Sequence, residues 1–506
     1  MSQVKKGAVL SYISIFANIL VAIIYTPFFI RALGADGYGL YNMAIAMLAY
    51  VSILDLGFGN TIAKTLSENR ITGTKRREQD ILGHIVYLYG IVSIIVAAIG
   101  ILLYFNVDIV FKELALNEQK ELQTMILWLI VFIILQFVPG LFNGILQAYQ
   151  YFAIAKTMLL IRVAVPPIVS IPFLLQGYGA LTVLIITITI HLAVLVIGAV
   201  LCMKRIDVKF NLKGVYKKQR LKSERKVTLY LSLILLSVAI ELITLNTGQL
   251  ILGSIKGTVS VAVFVIAIQF VKIYQQFATS ISNVTFPTFT TLVAKKSTNE
   301  TILNKIIQVS KIQLIALSFI MTGFIIFGQR FIVIWAGEEF EPAYIMTVIL
   351  MITITMQLTQ LPFVSIVQAK NKQGFRLGVL IFTLILMITG SLIFGSYYGG
   401  MGVTLSIAGF SFVLYTLIMN VYYKNTLKLN VQKFWFEIIK TLVPITVLTA
   451  IYYFLYHFIF TNEKSIIDMV IHIPIYSIMF MGLVWTQLVP KESKARIKLK
   501  LTGVFS

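Results

Sequence analysis

Apolar runs of about twenty residues, set apart by short polar clusters, recur along the whole chain. Fourteen such windows can be drawn, near residues 8–30, 40–63, 81–104, 123–146, 157–176, 180–203, 228–252, 259–287, 306–328, 345–369, 377–396, 402–423, 441–460 and 466–489. As helices rising about 1.5 Å per residue, each can cross a hydrocarbon layer of about 30 Å. The pattern therefore predicts an all-α polytopic membrane protein of about fourteen transmembrane helices. Lys5 and Lys6 precede an apolar run that reaches Ile30. That run is too long for a signal peptide and has no small-residue cleavage site, so it reads as a retained first span.

The polar interruptions repeat. "GILQAYQ" at Gly144–Gln150 and "SIVQAKN" at Ser365–Asn371 place Gln147 on Gln368 and Ala148 on Ala369 at a shift of 221, and the same shift places Gln136 on Gln357. A shift of 222 lays "GYGALT" on "GGMGVT", and 223 lays "GLYNMA" on "AVFVIA" and Asn60 on Asn283. Matches at nearly one offset, each at the corresponding span or loop, predict a duplicated unit of six spans. Six is even, so both copies enter the membrane in one orientation, related by a pseudo-two-fold along its normal. The expected organisation is an N-terminal six-helix bundle at 1–203, a basic cytoplasmic linker at 204–227 and a C-terminal bundle at 228–423. Two peripheral spans and a basic tail follow at 424–506.

Composition sharpens this picture. Of 506 residues, 58% are hydrophobic and only 12% charged, with a mean hydropathy of +0.90, which excludes a soluble multidomain protein. With the N-terminus placed in the cytoplasm, 33 of the 42 Lys and Arg fall on cytoplasmic segments, 6 on external segments and 3 within spans. The 20 acids divide as 8, 9 and 3, which leaves +25 inside and −3 outside. This positive-inside bias predicts an even number of spans and two cytoplasmic termini. It also accounts for the net charge of +22 without a nucleic-acid partner, the basic segments lying beside anionic membrane lipids. A single cysteine, Cys202, rules out an internal disulfide framework.

Candidate chemistry lies on polar faces of the spans, since a polar side chain in hydrocarbon turns toward a wet cavity or a helix partner. The eighth window carries Gln269, Lys272, Gln276, Thr279 and Asn283 at spacings of 3, 4, 3 and 4, all on one face. Lys272 is too deep to reach the outer surface and is placed to receive an anionic substrate group; an internal ion pair is the bland alternative. Gln136, Gly140, Asn143 and Gln147 share a face of the fourth window, and Thr353, Gln357, Gln360 and Gln368 of the tenth. Ser11, Ser14, Asn18 and Tyr25 do so in the first. Amides and hydroxyls both donate and accept, which suits sugar hydroxyls; interhelical bonding is the competing use. Together the stripes predict a polar lumen.

Asp55 and Glu241 are the acids deep within the windows, Asp468 lying at the very start of the fourteenth, and they are candidates for coupling to a proton or a sodium ion. Arg162 and Lys311 lie a few residues inside the cytoplasmic ends of the fifth and ninth windows, within snorkelling reach of the headgroups; Arg162 is kept as a substrate candidate. Prolines inside windows (Pro27, Pro139, Pro166, Pro167, Pro172, Pro287 and Pro362) permit bends that serve as hinges or only shape static helices. No paired-aspartate motif, metal-spaced His/Cys cluster or large external loop is present in the sequence. The reading is therefore no enzyme, no catalytic residues, no metal and no cofactor.

The segment Pro27–Lys64, with Leu33-Gly34, Tyr38-Gly39 and Asp55-Leu56-Gly57, resembles the start of the polysaccharide-transporter family of Wzx-type oligosaccharide flippases. "GILQAYQYF" at Gly144–Phe152 is similar to the same family's loop after its fourth span. The resemblance implies twelve core spans in two lobes, two peripheral C-terminal spans, and a lumen that moves a polyprenyl-pyrophosphate-linked oligosaccharide to the outer leaflet of the cytoplasmic membrane. In that picture Lys272 and Arg162 hold the pyrophosphate, while Gln269, Gln276, Gln136, Asn143, Gln357, Gln360 and Asn18 tolerate the glycan. Partners would be the lipid-linked oligosaccharide, membrane lipids, a coupling cation, and a glycan polymerase or glycosyltransferases. The motifs are shared with multidrug–cation antiporters of the same superfamily. A cation-coupled drug exporter working through Asp55 and Glu241 is thus the alternative.

Overall fold

The structure is a computed structural model that describes residues 3–72, 74–206, 208, 210–211, 225–458, 466–489 and 494. Among them there is no strand; the chain is a series of helices. Eleven are long and apolar enough to cross a membrane, so this is a multi-pass membrane protein. Three of the eleven are double: Gln3–Thr72 bends at Gly34, Arg225–Ala294 at Gly257 and the helix beginning at Gln373 at Gly399. Counting each bent helix twice raises eleven to fourteen. The spans run over 3–33, 35–72, 75–105, 116–148, 152–175, 180–205, 225–256, 258–294, 299–336, 342–369, 373–398, 400–427, 431–458 and 466–488. The spans are numbered in this order, first to fourteenth.

The repeat read from the sequence has a backbone counterpart. Gly34 and Gly257, 223 apart, turn with φ/ψ of 72°/175° and 76°/−176°. Gly177 and Gly399, 222 apart, both have positive φ, at 83° and 57°. Gln150 and Asn371, 221 apart, are left-handed without being glycine, at 62° and 56°. These last two close the paired phrases by the same device. Gln150 N–H reaches the Gln147 carbonyl and Tyr151 N–H the Leu146 carbonyl, as Asn371 N–H reaches Gln368 and Lys372 N–H reaches Val367, all at 2.8–3.0 Å. This is a helix C-cap in which a left-handed residue turns the last carbonyls inward. "QAYQ" and "QAKN" thus write one turn twice.

Contacts divide the chain into two compact units, Met1–Ile266 with Leu380–Ser406, and Ala267–Val379 with Ile407–Ser506. In the first unit the second, third, fourth and sixth spans pack around Ile62, Leu66, Tyr89, Phe142, Ile145 and Cys202. The start of the segment after the sixth span belongs here: Phe210 lies edge-on to Phe142, and Asn211 Nδ2 donates to Asp80 Oδ1 at 2.8 Å. The rest of the expected linker, residues 207, 209 and 212–224, lies outside the described residues, as does the tail beyond 489 apart from Lys494. Gly39 presses against Thr258, where any Cβ would overlap the Thr258 carbonyl. Close approach at small residues is how helices associate where lipid removes the hydrophobic drive.

In the second unit the last two spans pack on the ninth through aromatic rings, Phe327, Tyr452, Tyr456, Tyr476 and Phe480. Their polar tips are used as well. Tyr476 donates to Thr322 Oγ1 at 2.6 Å and lies 3.2 Å from Thr449 Oγ1. Arg330 donates to the Tyr456 hydroxyl at 3.0 Å.

Candidate functional site

The eighth span is continuous from Thr258 to Ala294, so the 3,4 spacing of its polar residues holds them on one face. Its opposite face is sealed. Phe264, Ala267, Val271, Tyr274 and Ala278 are buried, the Tyr274 hydroxyl lies 2.5 Å from Thr355 Oγ1 of the tenth span, and Gln313 Nε2 of the ninth donates to the Ala278 carbonyl at 3.0 Å. Gln269, Lys272 and Gln276 are half-buried, and Thr279 and Asn283 are exposed. The polar stripe is therefore the open side of a helix whose other side is locked in place. Gln276 Oε1 is buried without a hydrogen-bond partner, a group that a polar ligand or water would satisfy.

The tenth span is broken. Helix Pro342–Leu358 ends and Leu361–Ala369 begins, with Thr359 and Gln360 between them and Pro362 in the first turn of the second piece. Proline cannot continue the ladder, so carbonyls before it are released. Ser310 takes up one, donating to the Thr359 carbonyl at 2.7 Å. Gln360 is 3% exposed; its Nε2 donates to Met356 O at 3.1 Å and its Oε1 is left buried without a partner. Interrupted spans are where membrane transporters place binding groups, because freed backbone and amides face a cavity instead of lipid. Gln357 is half-buried one turn before. Gln269, Lys272, Gln276, Gln357 and Gln360 all belong to the second unit.

The other candidates belong to the first unit. Gln136 is buried on the fourth span, and Asn143, half-buried, has its Oδ1 enclosed without a partner. Arg162 is half-buried on the fifth span, and His191 Nε2 of the sixth lies 3.2 Å from its carbonyl. Asn18 and Glu241 are exposed, while the Asp55 side chain lies outside the described residues. Hydroxyl pairs tie the spans here: Tyr25 with Ser170 at 2.6 Å, Tyr41 with Thr187 at 3.3 Å and Tyr50 with Thr247 at 2.9 Å.

A cavity of about 510 Å³ in the first unit is lined by Asp36, Glu113, Glu118, Glu121 and Lys256. Two of its carboxylates cap helix starts. Glu118 Oε2 accepts from Ala115 N–H at 2.9 Å and Glu121 Oε1 from Leu181 N–H at 3.0 Å. The Thr258 hydroxyl lies 2.8 Å from Glu118 Oε1 and 3.0 Å from Asp36 Oδ1. Negative charge at a helix N-terminus is stabilising, which gives these acids a structural use. Among the described residues no group of three or more His, Cys, Asp or Glu is arranged to hold a metal ion.

Two features went unread in the sequence. Lys311 has a carboxylate partner, its Nζ lying 2.5 Å from Glu437 Oε2. The thirteenth span begins at Val431 rather than near 441, which brings Glu437 onto the helix. Arg376, placed in a loop by the hydropathy window, sits in the first turn of the eleventh span and is 7% exposed. Gln373 and Arg376 are three residues apart and so share a helical face, and the structure buries both while Gly374 and Phe375 between them are exposed.

Solved structures share the architecture. The lipid II flippase MurJ in an inward closed conformation is similar with a TM-score of 0.70 at 13% identity, over 96% of this chain and 99% of that one. The MATE multidrug transporter DinF-BH gives 0.57 at 16% identity over 84% and 97%. A MOP superfamily transporter from Pyrococcus furiosus gives 0.51 at 16% identity over 84% and 97%. At such identities the likeness establishes the fold. No curated protein sequence matches this one. A family described as polysaccharide biosynthesis protein matches residues 4–293. That span exceeds half of the chain, so a protein with the fold of the MOP-superfamily flippases and exporters belongs to the polysaccharide biosynthesis protein family.

Proposed function

We propose that this protein is a flippase of the cytoplasmic membrane, with both termini in the cytoplasm, that moves a polyprenyl-pyrophosphate-linked oligosaccharide to the outer leaflet for surface polysaccharide assembly. The observation that carries the reading is the open polar face of the eighth span, with Lys272 at its centre, in a member of a polysaccharide biosynthesis family. A half-buried ammonium on a face lined with amides suits a diphosphate approached as a point charge. Gln269, Gln276, Gln357 and Gln360 suit sugar hydroxyls, because an amide both donates and accepts. Arg162, Gln136, Asn143 and Asn18 extend the same chemistry in the first unit. The similarity in fold to a protein named as a lipid II flippase agrees with a lipid-linked cargo. Substrate binding would favour an outward-open over an inward-open arrangement by its differential affinity for the two, with Asp55 or Glu241 coupling the cycle to a proton or sodium ion. No chemical step is assigned to the chain.

The test is a strain lacking the gene, assayed for surface glycan and for lipid-linked sugars. Loss of surface polymer with complete lipid-linked repeat units accumulating supports the flippase. A second reading, a cation-coupled multidrug exporter, draws on the fold shared with MATE transporters and on the exposed Glu241. Normal surface glycan with raised retention of cationic dyes, in a background free of related transporters, would favour it.

A further inference from the structure

The first turn of the eleventh span buries a polar cluster in the second unit. Gln373 is fully buried, and neither end of its amide meets a hydrogen-bond partner. Arg376 lies three residues on, on the same face of the helix, and is also buried. This turn rests against the end of the twelfth span. The Tyr422 hydroxyl donates to the Lys372 carbonyl at 3.0 Å, and the Phe375 and Tyr422 rings stack with centroids 4.4 Å apart. Arg376 is near enough to Tyr423 for its charge to act on that hydroxyl.

The twelfth span contributes the rest. It contains a π-helical turn, Phe412–Ile418, an irregularity that is frequent at functional sites. Thr416 Oγ1 within that turn and Asn420 Oδ1 just beyond it are buried without partners. Two orphaned amide atoms of Gln373 thus share a helix face with one buried guanidinium, and the span packed against that turn carries two more. The chain segment around it is basic, with Glu300 lying 3.8 Å from Lys433. From Pro342 to Phe436 the sequence has no Asp or Glu, but it has Lys370, Lys372, Arg376, Lys424, Lys428 and Lys433. Desolvation, with Lys372 beside it, holds the Lys370 ammonium below its ordinary value, a cost that a nearby anion would relieve.

We infer that this cluster binds a phosphate ester that carries a free hydroxyl. The guanidinium fork of Arg376 and the Gln373 amide N–H group suit phosphoryl oxygens, aided by the positive end of the eleventh span. The Gln373 and Asn420 carbonyl oxygens require a donor, which the hydroxyl supplies. A metal cation is opposed by Arg376 and the lysines, and a simple carboxylate leaves the acceptors unmet. The glycerol phosphate headgroup of an anionic inner-leaflet lipid and soluble glycerol phosphate share this chemistry. The inference uses none of the residues assigned to oligosaccharide transport and stands apart from that reading.

The experiment uses the purified full chain in phosphatidylcholine nanodiscs, with either phosphatidylglycerol included or glycerol 3-phosphate added. Bound species are read by native mass spectrometry and stability by the unfolding midpoint. Retention with a raised midpoint in the phosphatidylglycerol arm alone identifies a lipid headgroup; the same in the glycerol 3-phosphate arm identifies the soluble ester. Gln373→Met and Arg376→Gln should each lower retention about tenfold, the loss of one charge-assisted contact. The inference is overturned if neither arm shows binding above phosphatidylcholine alone. It is equally overturned if Gln373→Met, close in shape to the native residue, binds as the wild type does; that variant decides alone should Arg376→Gln fail to insert.

Discussion

Gln150 and Asn371 hold the same left-handed backbone, φ 62° and 56°, at the ends of two helices that the sequence writes 221 residues apart. Neither is glycine, the residue that takes this conformation without strain. Asn tolerates it better than Gln, because its short side chain bonds locally. Replacing Gln150 by Gly should therefore stabilise the protein by about 1 kcal/mol, and replacing Asn371 by Gly by less. Asn371→Val should destabilise by more than either gain. Unfolding midpoints of the purified variants in detergent test the order; equal gains at both sites would contradict it.

The Lys311–Glu437 pair joins the ninth and thirteenth spans with each side chain about a third exposed. Partial exposure screens the attraction, so a coupling of about 1 kcal/mol is expected. Removing one partner should cost more than removing both, since it leaves a poorly hydrated charge behind. A cycle of Lys311→Met, Glu437→Gln and the double variant, read as thermal stability, measures this. Additive losses would mean that the pair contributes nothing beyond its separate side chains.

Much of the architecture was legible because two periods carry it. Runs long enough to span were visible directly, and all fourteen have helical counterparts. The repeat was visible as matching polar phrases because a C-cap needs a tolerant residue at a fixed place. Hydropathy could not see where helices continue past the apolar run. Val431–Gln432–Lys433 and Gln373–Gly374–Phe375–Arg376 are polar enough to read as loops, yet they form first turns. For the same reason Glu437 and Arg376 were missed. The break in the tenth span was signalled only by Pro362. That Ser310 would satisfy the released carbonyl depends on a tertiary contact that no local pattern encodes.

That contact yields its own expectation. Ser310→Ala leaves the buried Thr359 carbonyl without its donor and should cost about 1–3 kcal/mol. Gln360→Leu loses the Nε2 bond to the Met356 carbonyl, which keeps Thr359 Oγ1 as a donor, and removes a buried Oε1 that has no partner, so stability should be nearly unchanged while glycan export falls. Comparing thermal stability with surface glycan for the two variants separates scaffold from site. Export unaffected by Gln360→Leu would remove that residue from the substrate path.

Lys272 is the sharpest test of the proposed cargo. It is half-buried on the open face of a helix whose opposite side is fixed by Tyr274 and Ala278, so substitution should spare insertion and packing. Lys272→Ala should abolish surface glycan while the protein remains in the membrane, with lipid-linked repeat units accumulating inside. Lys272→Arg keeps the charge and should retain a substantial part of export, whereas Lys272→Gln keeps polarity and bulk without charge and should not. This ordering distinguishes recognition of an anion from a spacer role, in which Gln would serve as well as Arg. Normal export by Lys272→Ala would remove the pyrophosphate role from this residue and leave Arg162 as the remaining cationic candidate named for that group.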